Sequence, residues 1–202
     1  MTPPVRTGRI GGQMVAIVEG LAKRIRIPAL VERHDSIAVM GAFAFVNGCV
    51  AIGVMSFGAL ITGSPFVFPS LGPTAFLHFY TPMAPAASPR NTLCGHTVGV
   101  VAAVVSLLAF GLTGEGPALE EGMTLARVGA VALSLGLTSG AMVWLRVPHP
   151  PAGATTMIIS LGILTEAAHL AVLLFAVVLL TIQAFLINRA AGVPYPRWSP
   201  AP

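Results

Sequence analysis

Between Asp35 and Arg90 the chain runs for 54 residues without one Asp, Glu, Lys or Arg. A water-soluble domain cannot tolerate this, because each of its surface elements needs a charged or polar outer face. Further charge-free runs cover Asn91–Gly114, Val128–Leu145, Val147–Thr165 and Ala167–Asn188. Of the 202 residues, 55% are hydrophobic and 9% charged, against about 25% charged in ordinary soluble domains. A helix needs about 20 apolar residues to cross a bilayer. Backbone within lipid must also satisfy its own hydrogen bonds, which favours helices over open sheets. The composition therefore predicts an all-α membrane protein.

Four stretches are long enough to span: Ile37 to Thr62, Asn91 to Leu112, Leu125 to Leu145 and Ala167 to Asn188. Between them lie two shorter segments, "SPFVFPSLGPTAFLHFY" from Ser64 and "PHPPAGATTMIISLG" from Pro148, each opening on prolines and closing in an apolar, helix-compatible run. Both read as an extended lead followed by a half-helix. An offset of 81 residues lays Pro69 on Pro150, Gly72 on Gly153 and Thr74 on Thr155. The expected fold is two pseudo-symmetric halves, about 37–112 and 118–189, each a span, a broken Pro/Gly segment and a span. A basic region, 1–36, precedes this transmembrane domain (37–189), and a tail, 190–202, follows. Paired Gly/Pro-interrupted segments in two halves point to a transport site.

Whether the broken segments cross is left open by charge alone. If both cross, ten of the 11 Lys and Arg lie on one side and only Arg127 on the other; if both re-enter, the division is nine to two. The positive-inside rule leans to six crossings, with both termini cytoplasmic. Gly11 to Ile27 has apolar residues at helical spacing and a basic end, as an interfacial helix would. The N-terminus lacks the apolar core and cleavage site of a secretory signal. Cys49 and Cys94 have no metal-like spacing and read as reduced, inert thiols.

Non-helical backbone at membrane depth persists only where protein or a water-filled cavity surrounds it, so both breaks should face inward. Pro148, Pro150 and Pro151 remove amide donors, and Gly153 allows close approach. The half-helix that follows would point free N–H groups and a positive dipole end toward the break, beside Thr155 and Thr156, with a second such terminus near Ser70, Gly72 and Thr74. His149 adjoins the break and can titrate near neutral pH. His96 lies one turn into a span that opens with Arg90 and Asn91. The candidate site is therefore Ser70, Gly72, Thr74, Arg90, Asn91, His96, His149, Gly153, Thr155 and Thr156. Arg90 and Arg146 also suit topology or head-group contacts. His78 and His169 read as interfacial, and Trp144, Tyr195 and Trp198 as an aromatic belt. No metal or other cofactor is expected.

His149-Pro150-Pro151 followed by Ala-Gly-Ala-Thr, with the upstream "FPSLGPTA" and "SPRNTLCGH", resembles the HPP family of integral membrane proteins. The resemblance covers about Ser36 to Asn188. It implies four spans, and so re-entrant breaks, and through plant and cyanobacterial members it implies nitrite transport. No chloroplast address stands at the N-terminus, which leaves a bacterial inner membrane as the expected location.

These readings converge on transport of a small monovalent anion, nitrite or a similar ion, through a site built by the two breaks at mid-membrane, in a homo-oligomer within the lipid bilayer. A non-transporting sensor or assembly module is the rival. An enzyme is not expected: no HExxH occurs, and Asp35 is the only aspartate. Nothing in the sequence suggests nucleic acid as a partner.

Overall fold

In a computed structural model of the protein, residues 26–200 are described. They form eight helices and no strand: α1 (Ile27–Val31), α2 (Ser36–Thr62), α3 (Leu71–Tyr80), α4 (Pro89–Ala109), α5 (Ala118–Glu121), α6 (Leu125–Trp144), α7 (Ala152–Ser160) and α8 (Ala167–Ala190). Helices α2, α4, α6 and α8 are long and apolar enough to cross a membrane. The predicted interfacial helix at Gly11–Ile27 lies almost wholly outside the described residues.

Local chemistry sets the helix ends. Asp35 Oδ1 accepts from Ile37 N at 3.0 Å to cap α2, and Gly63, at φ 65°, ends it. Ser88 caps α4, where Pro89 opens the first turn and forfeits no hydrogen bond, and Thr124 caps α6. Both broken segments then run the length of their neighbours. Phe66 lies beside Gly58 near the end of α2, whereas Tyr80, at the end of α3, borders a groove with Ser36, Ile37 and Met40 at the start of α2. Likewise His149 lies beside Met142 near the end of α6, Thr138 Oγ1 is 2.8 Å from Thr156 Oγ1, and Arg127 at the start of α6 reaches Ser160 at the end of α7. Each break and its half-helix thus returns from one end of the bundle to the other, so the chain traverses the bundle six times rather than four.

The two ends of the bundle differ. Ile27 N donates to Ala191 O, Arg90 N to Trp198 O, and the Arg90 guanidinium approaches Leu145 O and Arg146 O, so the start of the described chain and its tail lie together at one end. This tail end carries Arg26, Glu32, Arg33, Asp35, Arg90, Arg146, Arg189 and Arg197, while the far end carries Glu115, Glu120, Glu121, Arg127 and Glu166. Helix α4 is the most enclosed of the spans, packed between α6, α7 and α8, whereas α2 leaves most of its surface exposed. Two expectations fail here. His78 and Tyr195, read as interfacial, are fully enclosed, because the tail folds back over the end of α3 and seats Tyr195 against His78 and Phe185.

Arg127 is buried, with Nη1 donating to Ser160 O at 3.3 Å and Nη2 to Gly116 O at 2.8 Å, and no carboxylate pairs with it among the described residues. The cation instead meets the negative end of the α7 dipole and ties α7 to the loop before α5. Arg127→Met should therefore lower stability by about 2–4 kcal/mol, since two backbone acceptors lose charged donors. A fall in the thermal unfolding midpoint of the detergent-solubilised protein would report it; an unchanged midpoint would mean that these bonds contribute nothing net.

Candidate functional site: a buried histidine pair between two half-helices

Helix α4 carries His96 into the middle of the bundle because Gly95 and Gly99 flank it and let α7 approach. A Cβ on Gly95 would stand 2.6 Å from His149 Cβ, and one on Gly99 would stand 2.8 Å from Ala152 O. The spacing Gly95-x-x-x-Gly99 is the small-residue pattern by which membrane helices pack closely. It is written in the sequence as "GHTVG", a signal independent of the prolines.

The approach leaves four side chains joined through His96, all fully buried: Thr74 from α3, His96 from α4, His149 from the break and Thr155 from α7. His96 Nδ1 lies 2.8 Å from Thr155 Oγ1, and His96 Nε2 lies 3.0 Å from Thr74 Oγ1 and 3.2 Å from His149 Nε2, which itself lies 3.3 Å from Thr74 Oγ1. His149 Nδ1 lies 2.7 Å from Ala86 O, and Thr74 Oγ1 donates to Ser70 O at 2.8 Å.

These bonds fix where the protons are. A carbonyl only accepts, so His149 carries its proton on Nδ1, and in the neutral ring Nε2 is a lone pair. His96 Nε2–H must then donate toward His149 Nε2 and Thr74 Oγ1, which leaves His96 Nδ1 to accept from the Thr155 hydroxyl. Two neutral imidazoles thereby use all four ring nitrogens. One added proton reverses the order: His149 Nε2–H donates to His96 Nε2, and His96 Nδ1–H donates to Thr155. The pair has two complete hydrogen-bond arrangements that differ by one proton.

The remaining candidates divide. Thr156, also buried, donates to Gly99 O at 3.2 Å and joins α7 to α4. Ser70 is buried below Thr74, its hydroxyl without a partner among the described residues. Asn91 is buried nearer the tail end, its Nδ2 donating to Pro85 O at 2.9 Å. Gly72 and Gly153 line two outward grooves, Gly72 with Ile52, Val67, Phe68 and Pro69, and Gly153 with Leu135, Thr138, Ser139 and His149. Arg90 stays at the tail end on backbone carbonyls. The structure thus gathers Thr74, His96, His149 and Thr155, with Ser70 and Thr156 adjoining, leaves Gly153 beside His149 on an outward groove, and holds Gly72, Arg90 and Asn91 apart from them.

The α7 terminus does not offer the free amides expected of it, and at the α3 terminus only Gly72 N, beside an outward groove, lacks a partner among the described residues. Ala152 N, Gly153 N and Ala154 N donate to His149 O, Pro150 O and Pro151 O at 3.0, 2.9 and 3.1 Å, because the break winds into a tight turn before α7 begins. In α3, Leu71 N donates to Phe68 O, and Pro73 has no N–H. Donors at the centre are therefore side chains.

A second feature was not read from the sequence. The short 3₁₀ turn Pro85–Ala87 presents three successive carbonyls, and each accepts from a buried side chain: Pro85 O from Asn91, Ala86 O from His149 and Ala87 O from Tyr195. Burial pushes the Tyr195 phenol above its ordinary pKa, so it remains a donor. Proline at 89 withholds an amide that would otherwise compete for the Pro85 or Ala86 carbonyl, in a stretch with prolines at 82, 85 and 89. That enrichment was the available signal.

The family described as HPP, transmembrane region, matches residues 33–196. The chain belongs to the HPP transmembrane family. The HPP match encloses every residue of the buried centre, all four long helices and Tyr195 on the tail. No curated protein and no solved structure matches the chain. Among the described residues no group of three or more His, Cys, Asp or Glu is placed to hold a metal.

Proposed function

We propose that this HPP protein moves a small monovalent anion across a membrane, nitrite being the named candidate, along a route that passes the Thr74–His96–His149–Thr155 centre. The observation that carries this reading is the convergence of both half-helices on one imidazole: Thr74 meets Nε2 of His96 and Thr155 meets Nδ1. These threonines are equivalent under the 81-residue offset, which also carries α3 onto residues 152–161, beside α7 at Ala152–Ser160, and α4 onto 170–190, within α8 at Ala167–Ala190. Each half makes three traverses, so its copy starts from the opposite end of the bundle. Inverted halves with broken helices meeting at mid-depth are a transporter construction.

The chemistry favours an anion. No Asp or Glu lies in any long helix, so no standing negative charge repels one, and the hydroxyl and imidazole groups at the centre are donors. The arginines at the tail end raise the local concentration of anions. In the neutral arrangement those donors are spent on one another. A proton from solvent, bound at His149 Nε2, makes His96 donate from Nδ1 and so frees the Thr155 hydroxyl to donate to the anion; binding of the anion is accompanied by uptake of a proton. By the distribution of Lys and Arg the tail end is cytoplasmic, in a bacterial inner membrane. The exposed apolar face of α2 is the surface for a second copy.

Reconstituted liposomes test this with nitrite, nitrate, formate and chloride, with protein-free vesicles subtracted to remove leakage of neutral nitrous acid. Flux of at least one anion should exceed the blank. Thr155→Val, which keeps shape and removes the hydroxyl, should lower it about tenfold, the factor for loss of one hydrogen bond of about 1.4 kcal/mol. If no anion moves faster than in the blank, transport is wrong and the sensor or assembly reading takes its place.

A further inference from the structure

The polar stripe of α3 does not end at Thr74. Ser70, Thr74 and His78 follow at intervals of four, on one buried face. Helix α4 starts at the end of the bundle where α3 ends and carries Thr92 one turn before His96, so His78 and Thr92 each lie one turn toward the tail end from the Thr74–His96 contact. No hydrogen bond joins this second rung. His78 Nε2 and Thr92 Oγ1 are both fully buried and without a partner among the described residues.

The protonation of His78 follows from its neighbours. Tyr195 Oη donates to Ala87 O, so at 2.8 Å it can only accept from His78 Nδ1–H, and His78 Nε2 is a lone pair. Two further acceptors lie close by in sequence and packing. Asn188 Nδ2 donates to His78 O at 3.0 Å and to Ala184 O at 2.9 Å, which fixes Oδ1 as the free atom; Asn91 Nδ2 donates to Pro85 O, which leaves its Oδ1 free likewise. Turning either amide over would set an oxygen against a carbonyl. The second rung is therefore rich in acceptors and short of donors. The other titratable groups around His78 are His96 on α4, His149 from the break and Tyr195 on the tail; none carries a fixed charge, and Arg90 lies farther out.

We propose that a water-sized hydrogen-bond donor binds between His78 Nε2 and Thr92 Oγ1, and that this site is the path by which the central histidine pair exchanges protons with the tail end. A buried water characteristically makes about three hydrogen bonds to groups that protein leaves unsatisfied. Here it gives one hydrogen to His78 Nε2, gives the other to a free asparagine oxygen and accepts from the Thr92 hydroxyl. An anion is excluded from this rung, because lone pairs line it. Tyr195 covers the rung from outside and holds His78 in the tautomer that needs the donor.

Nitrogen-15 NMR of the full-length, histidine-labelled protein in lipid nanodiscs tests this, with magnetisation transferred from water. In the parent, His78 should be protonated at Nδ1 only and should show transfer from water to Nε2 despite its burial. Thr92→Val should abolish that transfer, keep the His78 tautomer and slow deuterium exchange at His96 Nε2–H about tenfold; Thr92→Ser should restore both. Unperturbed His149 signals establish that each variant is folded. Absence of water transfer in the parent, or its survival in Thr92→Val, overturns the proposal. No transported ion enters the measurement, so its failure leaves the anion reading standing, and absence of anion flux leaves this site standing.

Discussion

Gly99→Ala should destabilise the protein by about 2 kcal/mol, and Gly99→Leu should leave no folded material. Alanine at a membrane-helix interior ordinarily gains about 1 kcal/mol over glycine. At position 99 its Cβ would stand 2.8 Å from Ala152 O and 2.8 Å from Thr156 Oγ1. The first of these is backbone and cannot turn aside, so α7 must move away from α4. Overpacking of this kind costs about 1–3 kcal/mol, and the movement also strains the Thr155–His96 and Thr156–Gly99 bonds, each worth about 1 kcal/mol. The losses exceed the propensity gain. Gly48→Ala on α2 is the control, because nothing lies within 4 Å of its Cβ, and it should be neutral or slightly stabilising. Thermal unfolding in detergent separates the two: equal effects at 48 and 99 would show that helix propensity governs and that the α4–α7 contact is loose.

The same contact explains what was legible beforehand. Spans could be placed to within two or three residues because charge marks where lipid stops, and Asp35, Arg90, Arg127 and Arg189 stand at or near helix ends. Thr74, Thr155, His96 and His149 could be nominated because prolines and glycines expose a break and polar residues beside it must face protein. The crossing question could not be decided, since ten against one and nine against two differ by too little. It took the contact of Arg127 with Ser160, and of Tyr80 with the start of α2, to show that half-helices of ten and nine residues, each with an extended lead, reach from end to end. Tyr195 was misplaced because an aromatic residue after a last span reads the same whether it lies among head groups or folds back. Only the acceptor at Ala87 O and the donor at His78 Nδ1 decide between them.

His96→Leu should abolish anion flux and cost about 3 kcal/mol of stability, and it should erase the effect of a second change at Thr155. In the parent, His96 is the single side chain among the described residues bonded to both half-helices, to Thr74 at 3.0 Å and to Thr155 at 2.8 Å, and it also donates toward His149. Leucine fills much of the volume but supplies neither donor nor acceptor, so the Thr155 hydroxyl loses its partner in a dry interior at about 1–3 kcal/mol and the His149 lone pair keeps only the Thr74 hydroxyl at 3.3 Å. Thr155→Val alone should cost about 1 kcal/mol, the net worth of its bond to His96. In the His96→Leu background that hydroxyl is already an unpaired burden, so Thr155→Val should cost nothing or restore a little. The resulting coupling of about 1–2 kcal/mol lies within the range for directly bonded residues. Thr138→Val, which touches Thr156 rather than His96, should show no such coupling and serves as the reference pair. If Thr155→Val costs the same in both backgrounds, the threonine stabilises α7 by packing, the two half-helices are not joined through His96, and the flux lost in His96→Leu must be traced to His149.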